Sequence, residues 1–176
     1  QKVPHLAIAA KHGNACGAAI SWENPSDALT GALWGNPRGI WGGELVVNFD
    51  VTDEIAASIL RSSEREAKFE KGEWMLDIVA APAFSEKAIQ GLTVRPARKI
   101  YRSPALAAAA GAPLVPIVRQ VRGGRLEQPA HDFVLGIPSD FGVGRSILAD
   151  LILAWGVSFW SFHGGNEVAI VKDAML

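Results

Sequence analysis

Lys11 and His12 are neighbouring residues whose types suit catalysis, since lysine offers a fixed cation and histidine a base that titrates near neutral pH. They follow the short apolar stretch 6–10, which predicts a buried strand ending at a pocket rim. Side chains alternate along a strand, so both groups can reach one substrate only if the chain leaves strand geometry at about Lys11. Gly13 and Gly17 permit that change. Alternatively, the pair is a solvated lysine and an incidental histidine at a strand end.

The elements around this pair alternate between strand and helix patterns, which predicts a layered α/β domain. One helix is expected from a Ser26 cap through Leu33, and another from a Thr52 cap to about Leu60. A helix should also begin at Ser85 and close at Gly91. Further strands are expected at 75–80, 97–101, 114–121, 125–128 and 168–172, a short helix at 105–110, and an apolar core helix at 147–162.

The composition fits one compact unit and excludes several classes of protein. The chain has 176 residues, 49% of them hydrophobic, and a net charge of -1, which argues against an electrostatic nucleic-acid binder. Its single cysteine cannot form an internal disulfide and fits a reducing compartment. Residues 147–162 are fewer than the roughly 20 that a membrane span needs. Because the start at Gln1 shows no signal or transit pattern, we expect a cytoplasmic protein without a membrane partner.

Other residues whose side chains could take part in a reaction have plainer interpretations. The histidines and Cys16 lack metal-ligand spacing, so no metal site is expected. Cys16 could act as a nucleophile near His12, but the surrounding glycine and alanine favour a small packed residue. The glycine-rich turn around Trp41 lacks a Walker lysine, which favours a backbone surface for a flat ring over a phosphate loop. Residues 61–73 mix both signs of charge and indicate a solvated helix or loop rather than a binding tail.

Five segments, taken in order, resemble the motifs of one enzyme family, the formyltransferase domain of the bifunctional purine-synthesis enzyme AICAR transformylase/IMP cyclohydrolase. Residues 11–17 carry Lys-His-x-Asn-x-Cys-Gly, and residues 36–43 are similar to the family's Asp-Pro-x-Ser-x-Phe-Gly-Gly. Residues 77–88 resemble its acidic-x-x-Ile-Ala-Pro segment and the helix after it. Residues 123–128 resemble Gly-Gly-Leu-Leu-Val-Gln, and 154–172 resemble the helix, Ser-Asn and strand that close its first half. The five matches are spread in the same order along nearly the whole chain.

The resemblance implies a three-layer α/β/α lobe of the cytidine-deaminase-like type. It implies formyl transfer from 10-formyltetrahydrofolate, as co-substrate, to the exocyclic amine of aminoimidazole carboxamide ribonucleotide (AICAR). His12 would take the proton of this weakly nucleophilic amine, and Lys11 would stabilise the oxyanion of the tetrahedral intermediate. Zinc is not expected, since the His-x-Glu and Pro-Cys-x-x-Cys of the deaminases are absent from the sequence.

The resemblance also implies the binding residues. Asn14, Gly42, Asp77 and Asn166 would bind AICAR, and Arg38, Gly39 and Trp41 would bind folate. Trp41 stands where the family usually has Phe and would stack on the pterin. From the residues alone, Asn166 could equally be a helix cap, Asp77 a turn residue and Trp41 a core residue.

Parts of the family pattern are missing from this sequence. The segments Arg-Tyr-x-x-Asn-Pro-His-Gln and Gly-x-Gly-x-Gly-Gln-x-Ser-Arg and the cyclohydrolase domain are absent. Residues 1–176 are therefore expected to form a single lobe, the first of two, with the rest of the site supplied by a homodimer partner or a complementing second-lobe chain. The dimer would cover an apolar patch on helix 147–162 formed by Leu151, Trp155 and Phe162. The alternative is a non-catalytic nucleotide-binding or interaction domain derived from this lobe.

Overall fold

The computed structural model of the chain describes residues 3–107, 115–129, 136, 141–159 and 168–176. They fall into two compact units. The first unit comprises Gln1–Ala109 and Gly144–Leu176, and the second comprises Ala110–Val143. No helix within the described ranges has the length and hydropathy that a membrane crossing requires.

The first unit is built on a five-stranded sheet with the strand order β2-β1-β3-β4-β5. Its strands are β1 (His5–Lys11), β2 (Asn14–Ser21), β3 (Gly43–Val47), β4 (Leu76–Ala81) and β5 (Lys99–Arg102). Its helices are α1 (Pro25–Gly35), α2 (Asp53–Leu60), α3 (Ser63–Phe69), α4 (Glu86–Thr93) and α5 (Arg145–Phe159). β1 runs antiparallel to β2 and β3, whereas β3, β4 and β5 are parallel. The predicted α/β fold class is confirmed.

One face of the sheet packs against α1, α2 and α4. Alternate residues of the strands point to this face, and Ala9 of β1, Leu45 of β3 and Val79 of β4 are fully buried in one cluster with the helices. Glycine on β2 lets α1 approach closely, because a Cβ added to Gly17 would lie 2.1 Å from the Ala32 carbonyl oxygen. The small-residue stretch after the Lys-His pair, for which no strand was expected, forms β2.

The other face of β2 is covered by α5. Ala149 and Leu153 of α5 are buried, and so is Ala18, whose side chain points away from α1. Since α1 and α5 lie on opposite faces of β2, this part of the sheet has the expected three layers. Of the patch predicted on this helix, Leu151 is half-exposed, Trp155 is partly buried, and Phe162 lies outside the described residues.

The edge of the sheet beside β2 pairs with the last residues of the chain. The Ile20 N–H donates to the Ala174 carbonyl over 3.1 Å, and the Leu176 N–H donates to the Ala18 carbonyl over 2.8 Å. The prediction of a strand at 168–172 is wrong, because these residues form only one isolated bridge, at Lys172. Positive φ angles at the two residues after Lys172 turn the chain, so Ala174 and Leu176 make the hydrogen bonds to β2.

The helix N-termini follow the predicted caps in two of three cases. Thr52 Oγ1 accepts the Ile55 N–H at α2, and Ser85 Oγ accepts the Ala88 N–H at α4. The expected Ser26 cap of α1 is wrong. Asn24 caps this helix instead, its Oδ1 accepting the Asp27 N–H, because the proline after it occupies the first helical position.

The charged stretch 61–73 contains α3, and its predicted solvation fails at Arg65, which is only 4% exposed. The Arg65 guanidinium lies 4.6 Å from the Trp74 ring centroid and 5.1 Å from that of Phe69. It also donates through Nε to the Glu73 carbonyl over 3.0 Å. Burial lowers the pKa of Arg65 from its ordinary value. A planar guanidinium can enter such a site because it stacks on aromatic faces.

The second unit contains a hairpin of β6 (Ile117–Val121) and β7 (Gly124–Gln128). Gly123, at φ 85°, lies in the turn between them. Both strands confirm the predicted ones within a few residues, although position 114 lies outside the described residues. In the first unit, the helix predicted at 105–110 is instead a 3-10 turn at Pro104–Ala107. Residues 108–110 lie outside the described residues.

Candidate functional site

The predicted site residues nearest the sheet collect at one end of it, as the topology requires. Lys11 is the last residue of β1, Gly42 precedes β3, and Asp77 is the second residue of β4. Because β1 is antiparallel to β3 and β3 is parallel to β4, the carboxyl end of β1 meets the amino ends of β3 and β4. Parallel α/β sheets more commonly bind ligands at the carboxyl ends of their strands. The antiparallel β1 accounts for this difference.

Lys11 and His12 lie at a tight turn between β1 and β2. His12 and Gly13 have φ angles of 55° and 80°, and Lys11 pairs with Asn14, which together define a two-residue hairpin of the primed type. The chain thus leaves strand geometry at His12, next to the predicted position. His12 is exposed, and its carbonyl lies 3.5 Å from the Asn14 Nδ2 donor. The turn therefore holds Lys11, His12 and Asn14 within one hairpin tip.

Cys16 is the extra residue of a β-bulge beside this turn. Ala9 pairs with Gly17 and Ala10 pairs with Ala15, so Cys16 has no partner across the strand pair. Burial raises the pKa of the Cys16 thiol, the nearby Lys11 charge lowers it, and a neighbouring glutamate raises it. A thiol held protonated is a poor nucleophile, which favours the packed interpretation.

The Lys11 ammonium reaches the peptide that joins Trp41 to Gly42. Lys11 Nζ donates a hydrogen bond to the Trp41 carbonyl. The following Gly42 has φ 71°, and its N–H donates to the Met75 carbonyl over 2.6 Å. A Cβ added to Gly42 would lie 3.5 Å from Asp77 Oδ2, so Gly42 adjoins both the peptide that Lys11 contacts and the Asp77 carboxylate. An ammonium has three donors, which leaves Lys11 able to bond a ligand oxygen as well.

Asp77 forms an ion pair that the sequence did not reveal. Its Oδ1 lies 2.9 Å from Arg95 Nη2. This oxygen is buried and makes no well-aligned hydrogen bond within the described residues, whereas the side chain as a whole is 47% exposed. One signal could have found Arg95: a parallel crossover such as β4-α4-β5 returns the chain to the amino end of β4.

The three predicted folate residues lie between α1 and β3. Trp41 is 45% exposed, so the core alternative does not apply, and Lys71 Nζ lies 5.5 Å from its ring centroid. Gly39 donates its N–H to Asn36 Oδ1 over 2.8 Å in the turn after α1. The exposed Arg38 directs its guanidinium over the Phe69 ring, 5.7 Å from the centroid.

Some predicted positions cannot be located. Asn166 lies outside the described residues, as do His131 and His163. Within the described part of the chain, no three histidine, cysteine or carboxylate side chains are grouped so that they could hold a metal ion. The described arrangement offers a cation, an exposed imidazole and a half-exposed carboxylate at one sheet end. Such a set can stabilise an oxyanion, accept a proton and bind a donor group.

Comparison with known proteins identifies relatives of the whole chain. The family model described as AICARFT/IMPCHase bienzyme matches residues 1–176. The bifunctional purine biosynthesis protein PurH of Anoxybacillus flavithermus is 30% identical over 178 residues, covering 98% of this chain and 31% of that protein. PurH of Bacillus subtilis is 28% identical over 174 residues, covering 96% of this chain and 30% of that protein. The chain thus spans about 30% of the length of these curated relatives.

Proposed function

Because the chain belongs to the AICARFT/IMPCHase bienzyme family, we propose that it forms one wall of a site that transfers a formyl group from 10-formyltetrahydrofolate to AICAR in purine biosynthesis. The observation that carries the proposal is the shared position of Lys11, His12, Gly42 and Asp77 at one end of the sheet. Residues 1–176 would act as a single cytidine-deaminase-like lobe in the cytoplasm.

The reaction joins the exocyclic amine nitrogen of AICAR to the formyl carbon. His12 accepts the proton that this nitrogen loses, and the exposed position of its ring in the turn supports that role. The formyl oxygen becomes an oxyanion, and Lys11 donates a hydrogen bond to it. When the intermediate collapses, the bond from the formyl carbon to N10 of the folate breaks, and N10 receives a proton. The products are formylated AICAR and tetrahydrofolate.

Lys11 is suited to its role because its ammonium is already held at a carbonyl oxygen. The Trp41 carbonyl accepts a hydrogen bond from Lys11 Nζ, which fixes the long side chain against the start of β3. A side chain fixed before the reaction loses less entropy when the oxyanion forms. The oxyanion would then bond a second donor of the same ammonium.

Binding of AICAR would use Asn14, Gly42, Asp77 and Asn166. Gly42 supports this role because its positive φ favours glycine, which leaves the space toward Asp77 Oδ2 without a side chain. The Asp77 carboxylate can accept hydrogen bonds from the hydroxyl or amide donors of the nucleotide. Folate would bind across Arg38, Gly39 and the half-exposed ring of Trp41.

The partner that we propose is a second copy or a chain that carries the second lobe. Ile147 and Leu151 form a half-exposed apolar pair one turn apart on α5. Such a pair suits packing against another lobe. We expect the chain alone to self-associate and to lack formyl transfer until the second lobe is supplied.

The test is calorimetric titration of the chain with AICAR, with and without 10-formyltetrahydrofolate and with and without a second-lobe chain from a relative. We expect AICAR to bind the assembled site, and Asp77→Asn to weaken it. Lys87→Ala changes an exposed lysine at the opposite end of the sheet and serves as the control. Absence of AICAR binding in the assembled preparation would disprove the proposal.

The alternative function is a nucleotide-binding or interaction domain without catalysis that derives from this lobe. Tight AICAR binding with no formyl transfer in the assembled preparation would support this alternative.

A further inference from the structure

Arg95 connects two elements at the amino end of β4. It follows α4 and precedes β5, and its guanidinium reaches back to consecutive residues of β4. Nη1 donates to the Leu76 carbonyl over 3.1 Å, and Nη2 lies 2.9 Å from Asp77 Oδ1. The planar, forked guanidinium can reach both acceptors at once, which the single ammonium of a lysine does not do.

The two oxygens of Asp77 face different surroundings. Oδ1 is buried beside Arg95, while the side chain as a whole is 47% exposed. The exposure therefore lies on the side of Oδ2, which faces the Cβ-free surface of Gly42. Arg95 thus occupies one oxygen of the carboxylate and leaves the other open toward the candidate site.

We propose that Arg95 is a positioning residue for Asp77: it fixes Oδ1 so that Oδ2 points to the hydrogen-bond donors of a bound nucleotide. This inference rests on the proposed function, because it takes Asp77 to be a ligand of AICAR. Arg95 acts through Asp77 and needs no contact with the substrate. A carboxylate that is fixed before binding loses less rotational entropy when the ligand arrives.

The first test needs no ligand. In the full chain, the carboxyl carbon signal of Asp77 is measured by NMR in the unmodified protein, in Arg95→Gln and in Lys99→Gln. Lys99 is an exposed cation of β5 whose backbone lies opposite Ile78, so its removal changes the local charge without breaking the ion pair. We expect Arg95→Gln to shift the Asp77 signal and Lys99→Gln to leave it nearly unchanged. Equal signals in both variants would overturn the proposal whatever the protein binds.

The second test measures AICAR affinity by calorimetry in the assembled site. We expect Arg95→Gln to raise the dissociation constant about tenfold, and Arg95→Lys to recover part of the loss, in the range of coupling between contacting residues. In an Asp77→Asn background, Arg95→Gln should have no further effect. An equal loss in that background would overturn the positioning role.

Two further outcomes separate this inference from the proposed function. If the unmodified site binds AICAR and Asp77→Asn binds it equally well, the inference fails and the proposed function stands. If the unmodified site does not bind AICAR, the proposed function fails, and the inference that depends on it fails as well, whereas the NMR comparison still reports whether the ion pair exists. The melting temperature of Arg95→Gln should shift by only a few degrees, because the pair is partly exposed.

Discussion

The two ends of the sheet in the first unit use polar residues in opposite ways. At the carboxyl ends of β3 and β4, Thr52 and Ser85 cap helices, and Ser85 also donates its hydroxyl hydrogen to Asp53 Oδ1. The backbone closes the same end, since the Val51 N–H donates to the Ala83 carbonyl over 2.9 Å. These polar groups find their partners among themselves.

At the amino ends of β3 and β4, several polar groups keep capacity for a ligand. Lys11 has further donors beyond its bond to the Trp41 carbonyl, and Asp77 has an oxygen on its exposed side. His12 stands exposed in the adjacent turn. The helix caps thus occupy the end where α/β sheets commonly bind ligands, whereas the antiparallel β1 brings Lys11 and His12 to the other end.

The largest expected effect comes from Arg98, a cation at the amino end whose partners are all internal. Its side chain is buried and donates to the carbonyls of Trp74, Leu76 and Leu92 over 3.2, 3.0 and 3.3 Å, and to Glu73 Oε1 over 2.7 Å. Arg98→Ala leaves buried carbonyls without this donor. We expect the free energy of unfolding, measured in urea, to fall by about 3 kcal/mol.

The matched control for Arg98 is Arg102→Ala, which removes an exposed arginine at the far end of β5 and should change stability by less than about 0.5 kcal/mol. AICAR affinity per folded molecule should be unchanged in both variants. A loss of affinity without a loss of stability in Arg98→Ala would mean that Arg98 belongs with the ligand-facing residues.

The next largest effect is expected for a substitution at His12, which should lower turnover and leave folding unchanged. His12→Asn removes the base but keeps a residue that tolerates the positive φ of this turn. With the complete site present, we expect turnover to fall by about a hundredfold or more, while AICAR affinity and the melting temperature change little. Normal turnover in His12→Asn would exclude the base role.

Most of this architecture could be predicted from the sequence, because apolar runs and helix caps determine its elements locally. β1, β4, β5, α2 and α4 follow apolar runs and caps that act over a few residues, as Thr52 and Ser85 show. The cap of α1 was misplaced because Asn24 and Ser26 flank a proline and both residue types can cap. The strand β2 was missed because Gly17 and its alanine neighbours lack strand propensity, and their pairing depends on close packing against α1.

The candidate site was predictable in its residue types and less so in its contacts. The turn at His12 followed from Gly13, and the family motif indicated Gly42 and Asp77. Arg95 was missed because it is far from Asp77 in sequence and meets it only through the crossover of α4. Arg65 was misjudged for a similar reason: its burial depends on the rings of two aromatic residues, which charge pattern does not report.

A third prediction tests whether Trp41 belongs to the ligand-facing end. Its ring is half-exposed, so Trp41→Ala should cost little stability. We expect folate affinity to fall by about 1 to 3 kcal/mol, the range for loss of a stacking aromatic, and AICAR affinity to fall much less. Trp41→Phe is the matched control, because it retains a stacking face and should retain folate binding. Equal losses for both ligands in Trp41→Ala would contradict a folate-specific role.

The smallest effect belongs to Ser85, at the end of the sheet closed by caps. The Ser85 hydroxyl holds the pKa of Asp53 below its ordinary value of 3.8, with burial opposing and the Lys87 charge assisting. A carboxyl with a lowered folded-state pKa stabilises the fold above its ordinary pKa, and the contribution disappears as pH falls through the lowered value.

Ser85→Ala removes this contribution together with the α4 cap, which is worth about 1 kcal/mol. In urea titrations, the difference between the two proteins should therefore be larger at pH 7 than at pH 2. AICAR affinity should not change, because both groups have their partners within the protein. A difference in stability that is constant with pH, or a loss of AICAR affinity, would mean that the two ends of the sheet are not divided in this way.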